Sequence, residues 1–233
     1  MLKNQGVCTR QKRMNLPCNT LDIYFDNESI PQVTSHRLLG IILDQNLTWC
    51  DHIDMIFNRI SSKIYQLNCI KNFIDINTRK LFYFAYIQPY FDYCSSVWGH
   101  TYSSHTKRLS SIQRRAIRAI NNNVVNHYQD RFASFNILPV ESKVIFRDCI
   151  LIHKIINDNA PTYMSSVVSK RTSQYFSYEP RLVVPFPNID LFKMSFTYSG
   201  AISWNKLPPS LRRMTKLVSF KSSLLMHLLQ KGN

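Results

Sequence analysis

The chain reads as a mainly α protein: a helical bundle with a small N-terminal β-hairpin and a helical C-terminal extension. Two patterns lead there. From Asp51 onward Ile53, Ile56, Phe57, Ile60, Ile64, Leu67 and Ile70 recur at helical spacing, and similar stripes return further along. Period-two alternation, the mark of a half-buried strand, is confined to residues 21–43. With 233 residues, 45% of them hydrophobic, the chain can fill the core that such a bundle needs.

The first strand, LDIYFDN, alternates Leu21, Ile23 and Phe25 and ends in a turn signal at Asp26-Asn27. RLLGIILD supplies a second strand. ILDQNLTW leads out of it into the first long helix, with Asp51 or Thr48 placed to cap its free N–H groups. Asp75 or Asn77 caps a second helix, TRKLFYFAYIQ, which stops or kinks near Pro89 because proline lacks the N–H and clashes with the preceding turn. PYFDYCSSVWG continues helically to Gly99. Apolar on nearly every side, this helix belongs in the middle of the domain. Asp92, beside Tyr90, Tyr93 and Trp98 and without an acidic neighbour in sequence, reads as a hydrogen-bonding core residue and not as a metal ligand.

A third helix covers residues 104–122. At about 100° per residue, Leu109, Ile112, Ala116 and Ile120 fall on one narrow stripe, while Lys107, Arg108, Arg114, Arg115 and Arg118 fan over the opposite face. Solvated helix faces normally mix signs, yet no acid occurs between Lys107 and Arg118. Such a face suits phosphates. A shorter element near residues 128–136 precedes Leu138-Pro139. A fourth long helix spans residues 140–157, with Val144, Ile145, Cys149, Ile152 and Ile156 as its apolar side. Residues 162–190 carry Ser, Pro and Arg without periodicity and read as an extended connector. FKMSFTYSGAISWNKLP resumes helically before Pro208-Pro209, and VSFKSSLLMHLL forms a final amphipathic helix.

Lys and Arg number 29 against 14 Asp and Glu, a net charge of +15, which favours a polyanionic partner such as nucleic acid. No segment reaches the roughly 18–20 continuous apolar residues that a membrane helix needs, and no apolar stretch follows the basic start MLKNQGVCTRQKR, so it does not read as a secretory signal. Six cysteines at positions 8, 18, 50, 69, 94 and 149, none in a CxxC pair, suit reduced thiols in an intracellular chain. Cys94 with His100 and His105, or Cys149 with His153, fall short of four zinc ligands.

Two-metal phosphoryl chemistry needs carboxylates converging on both cations, typically from closely spaced acids. The chain has no Asp-Asp, Glu-Glu or Asp-Glu dipeptide, and the pair Asp51 and Asp54 is explained by the helix dipole at a helix start. GxSxG, HExxH, GxGxxG and phosphate-cradling loops are missing, and five glycines leave little room for one. No residue is assigned a catalytic role, and no metal or cofactor is expected.

HRLLGIILDQNLTWCDHI, then YIQPYFDYCSSVWG, then LSSIQRRAIRAINN resemble, in this order, the region just after the polymerase palm in reverse transcriptases of non-LTR (LINE-type, jockey-like) retrotransposons. FTYSGAISWNKLPPSLRR and SFKSSLL are similar to that family's closing signature. The likeness covers about residues 9–229, with Leu38 where the family usually has an aromatic.

The resemblance implies that residues 37–42 match the strand gripping the primer end, with Arg37, Leu39 and Gly40 as its nucleic-acid contacts. Residues 53–122 would match the thumb, whose cations Lys107, Arg108, Arg114, Arg115 and Arg118 touch phosphates. The implied organisation is a palm remnant over 1–50, a thumb-like bundle over 51–125, further helices over 126–160, and a connector with C-terminal helices over 161–233. The aspartate box that holds the family's catalytic magnesium ions has no counterpart here. The expected role is therefore a non-catalytic C-terminal fragment of an RNA-directed DNA polymerase, nuclear or cytoplasmic and not secreted. Its partner would be an RNA/DNA template–primer duplex, with no membrane and no small-molecule substrate. Two other readings stay open: a domesticated stand-alone nucleic-acid-binding module, and a helical protein adaptor using residues 217–229.

Overall fold

The computed structural model describes residues 23–122, 132–171 and 180–231. It opens on two hairpins. β1 (Ile23–Phe25) pairs antiparallel with β2 (Glu28–Ile30) across the expected turn, where Asp26 and Asn27 both have positive φ. RLLGIILD, expected to be one strand, is a second hairpin: β3 (Ser35–Leu38) pairs with β4 (Ile41–Asp44) across Leu39 at φ 48° and Gly40 at φ 84°. A leucine in left-handed backbone gives no turn signal, so the alternation hid the reversal.

α1 (Cys50–Ile70) buries the predicted stripe of Ile53, Ile56, Ile60, Ile64 and Leu67. Its N-terminus is organised from outside the helix. Asp44, at the end of β4, accepts the amides of Asn46 and Thr48 at 3.0 Å on Oδ1 and that of Trp49 at 2.8 Å on Oδ2. Burial opposes ionisation of Asp44, but those amides outweigh it and hold its carboxyl below the usual carboxylate range. Asp51 caps nothing, while the Thr48 hydroxyl accepts the Cys50 amide at 3.4 Å.

α2 (Ile76–Phe82) is capped by Asp75, which takes the amides of Asn77 at 3.1 Å and Thr78 at 3.2 Å. Pro89 does not end this rod. The backbone widens into a π-turn over Tyr83–Ile87 and re-forms as α3 (Gln88–Asp92), with Pro89 in the first turn, where a missing N–H costs nothing. The helix then breaks between Tyr93, which is extended, and Cys94, at φ 50°, before α4 (Ser95–Trp98). Expected to run unbroken, it stops here because Trp98 Nε1–H donates to the Tyr93 carbonyl at 2.8 Å and holds the turn shut. Nor is the rod central. Tyr83, Ile87 and Phe91 are buried, but Leu81, Tyr86, Tyr93 and Val97 are at least half exposed, so it forms one wall of the bundle.

α5 (Ser103–Ile120) packs against α1, with Leu109, Ile112, Ala116, Ile117 and Ile120 in the core. Gln113 sits among them, its Nε2 donating to Tyr83 Oη at 3.1 Å and the Leu138 carbonyl at 2.9 Å, its Oε1 accepting the Val140 amide at 3.0 Å. Arg79 Nη1 donates to the Ile120 carbonyl at 2.9 Å, closing the C-terminal end of α5. The short element expected near 128–136 falls partly outside the described residues. Within them, Phe132 and Phe135 pack on the same core.

α6 (Val140–Ile156) bridges two cores: Val140 belongs to the first, Cys149, Ile152 and Ile155 to a second. The stretch expected to be a connector begins with a 3₁₀ turn (Thr162–Val167), and beyond it Lys170 bridges Leu182. Asn205 clamps Leu182 through its N–H and its carbonyl, both at 2.9 Å, and Trp204 donates to Pro180 O at 2.7 Å. α7 (Asp190–Lys193), α8 (Phe196–Asn205, capped by Ser195), α9 (Pro209–Arg212) and α10 (Leu217–Lys231) complete the second unit. Phe220, Leu224 and Leu228 of α10 are buried in it, each stabilising by about 1.5–3 kcal/mol. Among the described residues no helix is long and apolar enough to cross a membrane.

Candidate nucleic-acid interface

α5 contains no acidic residue over its 18 positions, and its two faces differ completely. One is buried; on the other Lys107, Arg108, Arg114, Arg115 and Arg118 are all exposed. Lys107, Arg114 and Arg118 form a row about 16 Å long at 1.5 Å rise per residue, with Arg115 flanking it. The buried side, locked by Gln113 and Ile117, prevents the helix from rolling, so the backbone positions that carry these side chains keep a fixed spacing.

The five do not share one role. Arg108 Nη1 pairs with Asp54 on α1, and its guanidinium lies 4.4 Å from the centroid of the Phe57 ring. It is a clamp between the two long helices, which also gives Asp54 a function that dipole reasoning missed. Lys107, Arg114 and Arg115 have no ion-pair partner among the described residues.

The hairpin residues lie elsewhere. Arg37 is on β3, opposite Ile42, and is exposed; Leu39 is 81% exposed at the tip. The tip is tethered, because Tyr93 Oη donates to the Leu39 carbonyl at 2.5 Å and the Tyr93 ring lies 3.6 Å from where a Cβ on Gly40 would be. At the base of the hairpin the Ile42 amide donates to His52 Nδ1 at 3.3 Å, docking β4 on α1. His52 is buried with its ring edge-on to Trp49 and Trp98, and burial lowers its pKa to about 4. Among the described residues no hydrogen bond or ion pair joins Arg37, Leu39 or Gly40 to α5 directly. The connection runs through α1, which packs on both β4 and α5.

Asp92 meets two cations and one neutral donor, Gln88 Nε2, which donates to its Oδ2 at 3.3 Å. Lys143 Nζ lies 3.1 Å from its Oδ1, and Arg147 contacts both oxygens. Lys143 and Arg147, both on α6, were passed over in the sequence because their partner lies about fifty positions away.

Over 121 residues, 51% of this chain, the protein is 28% identical to the probable RNA-directed DNA polymerase from transposon X-element of Drosophila melanogaster. The same identity over 121 residues, 47% of this chain, relates it to the probable RNA-directed DNA polymerase from transposon BS of the same organism. The matched stretch spans 13% of each relative's length. No family model and no solved structure matches the chain. The chain therefore contains a region related to the RNA-directed DNA polymerases, or reverse transcriptases, of retrotransposons.

Proposed function

We propose that this chain is the thumb-and-connector portion of a retrotransposon reverse transcriptase, without catalysis of its own, and that α5 holds the phosphate backbone of a template–primer duplex. The observation that carries the reading is the exposed run of Lys107, Arg114, Arg115 and Arg118 on an acid-free helix whose other face is core. Cations placed in this way neutralise phosphates and release counterions, which positions a duplex without reading its sequence. Relatedness to RNA-directed DNA polymerases supports nucleic acid as the partner. In this reading Arg37, Leu39 and Gly40 form a second contact at the hairpin tip, and the segments 1–50, 51–125, 126–160 and 161–233 act as palm remnant, thumb-like bundle, further helices and connector.

Filter binding of the 233-residue chain to an RNA–DNA duplex between about 50 and 200 mM salt tests the reading. Affinity is expected to fall steeply with salt. A salt-insensitive signal, or one unchanged by Arg114→Ala/Arg115→Ala/Arg118→Ala, would refute it. Incorporation of nucleotides into a primed template by this chain with magnesium would refute the absence of catalysis. The adaptor reading finds less support, because α10 spends its apolar stripe on the second core.

A further inference from the structure

A cleft of about 450 Å³ opens where the two cores meet, walled by the link between α4 and α5, by α6 and by α8. Gly99 brings the backbone so close to α6 that a Cβ there would lie 2.6 Å from Val144 Cγ2, and this approach sets His100 into the cleft wall. Behind it, Asp148 is fully buried and its Oδ2 lies 2.6 Å from His100 Nε2, so the ring orientation is fixed from inside the protein. Burial raises the pKa of Asp148, against the opposing contacts of its carboxyl with His100 and Ser96, so a buried acid is retained here at a cost.

Several hydroxyls on the walls are already committed: Thr101 to His105 at 2.9 Å and Ser199 to the Lys193 carbonyl at 2.6 Å. His100 Nδ1, the Glu141 carboxylate and the Ser203 hydroxyl are not, among the described residues. They line the cleft together with apolar Leu109, Val144 and Ile202. Apolar walls with a few donors and acceptors are what an unstacked base requires, since it offers two flat faces and a polar edge. Thr106, also on the wall, immediately precedes Lys107, where the cation row begins.

We propose that this cleft receives one unstacked nucleotide of a strand whose backbone lies along α5, with Glu141 accepting from an exocyclic amino group. The choice of ligand class rests on the reading of α5 given above; the cleft itself does not. Cytosine, adenine and guanine, which carry such an amino group, bind better than uracil.

Saturation-transfer NMR on the 233-residue chain with the four ribonucleoside 5′-monophosphates tests this. Transfer to base protons is expected for the three amino-bearing nucleotides, with at least a threefold weaker signal for uridine monophosphate. Ser203→Trp, which fills the cleft, should weaken binding at least tenfold, and Glu141→Gln, at an exposed position, should abolish the discrimination against uracil. If Ser203→Trp does not fold, Glu141→Gln alone decides. No transfer to any of the four, or transfer indifferent to these variants, overturns the proposal. Lys221→Glu, at an exposed position of α10 outside the cleft, should leave mononucleotide transfer within twofold. Intact transfer with no duplex binding would refute the α5 reading alone, and duplex binding without transfer would refute the cleft alone.

Discussion

Arg147 grips Asp92 with two nitrogens, Nε at 3.0 Å from Oδ1 and Nη2 at 2.8 Å from Oδ2, and Lys143 Nζ adds a third contact at 3.1 Å. One carboxylate at the end of α3 thus receives two cations from α6, and the cluster ties the bundle to the helix that bridges into the second core. Burial opposes the Asp92 charge, but the Arg147 hydrogen bond and the Lys143 charge outweigh it, holding its carboxyl below the ordinary range. Asp92→Asn would leave Lys143, which is buried, without a counter-charge. A loss of about 2–4 kcal/mol is expected in urea unfolding, with part of it recovered in Asp92→Asn/Lys143→Met. An unchanged midpoint would mean that the cluster is decorative. The folded pKa is the lower one, so this contribution is full above the unfolded carboxylate range and is lost as pH falls through the folded value.

The cations of α5 separate into two kinds that salt titration can distinguish. Replacing Arg114, Arg115 and Arg118 together by Ala should reduce the slope of log affinity against log salt by about 2–3 on duplex DNA, at about 0.9 per phosphate contact. Their exposed positions make the expected loss of stability small, about 0.5 kcal/mol or less each. Arg108→Ala should do the reverse: a nearly unchanged slope, and destabilisation of about 1 kcal/mol from the lost contacts with Asp54 and Phe57. A slope change for Arg108→Ala as large as for Arg114→Ala would show that the pair with Asp54 opens on binding.

The long helices were legible in the sequence because a 3.6-residue stripe survives any tertiary context: α1, α5 and α6 lie where periodicity places them. The breaks were not. Leu39 and Cys94 both take left-handed backbone, Cys94 at a turn closed by Trp98, and neither residue type announces that. Asp44 looked like the end of a strand until the folded loop brought three amides to it. The acid-free face of α5 could be read directly, yet the contact of Arg108 with Asp54 could not, since Asp54 is a helix-start acid until α1 and α5 are packed together.

His52 makes the fold sensitive to acid. Its Nδ1 must stay unprotonated to accept the Ile42 amide, and burial lowers its pKa from 6.5 to about 4. The unfolded chain takes up this proton first, so the contribution is full above pH 6.5 and erodes as pH falls toward 4, by up to about 3 kcal/mol. Burial lowers the pKa of His105 and His153 as well, adding in the same direction, whereas burial raises that of Asp148, which works against them. Melting temperature should therefore fall between pH 6.5 and 4.5. His52→Gln, which keeps an acceptor but cannot titrate in this range, should flatten the profile; an equally steep one would assign the effect to the other histidines.

Gly99 gives the sharpest steric expectation. A Cβ at this position would clash with the Ser95 carbonyl oxygen and sit 2.6 Å from Val144 Cγ2, the first of them backbone that cannot rotate away. Its backbone is ordinary at φ −70°, so any penalty for Gly99→Ala is packing and not conformational strain. The link would have to move off α6, carrying His100 away from Asp148 and opening the seam between the cores. Destabilisation of about 2–3 kcal/mol is expected, and Val144→Ala in the same chain should recover part of it by removing the methyls that clash. If Gly99→Ala alone is neutral in urea unfolding, the seam is looser than these distances imply. If Val144→Ala gives no recovery, the strain lies at the Ser95 carbonyl and not against α6.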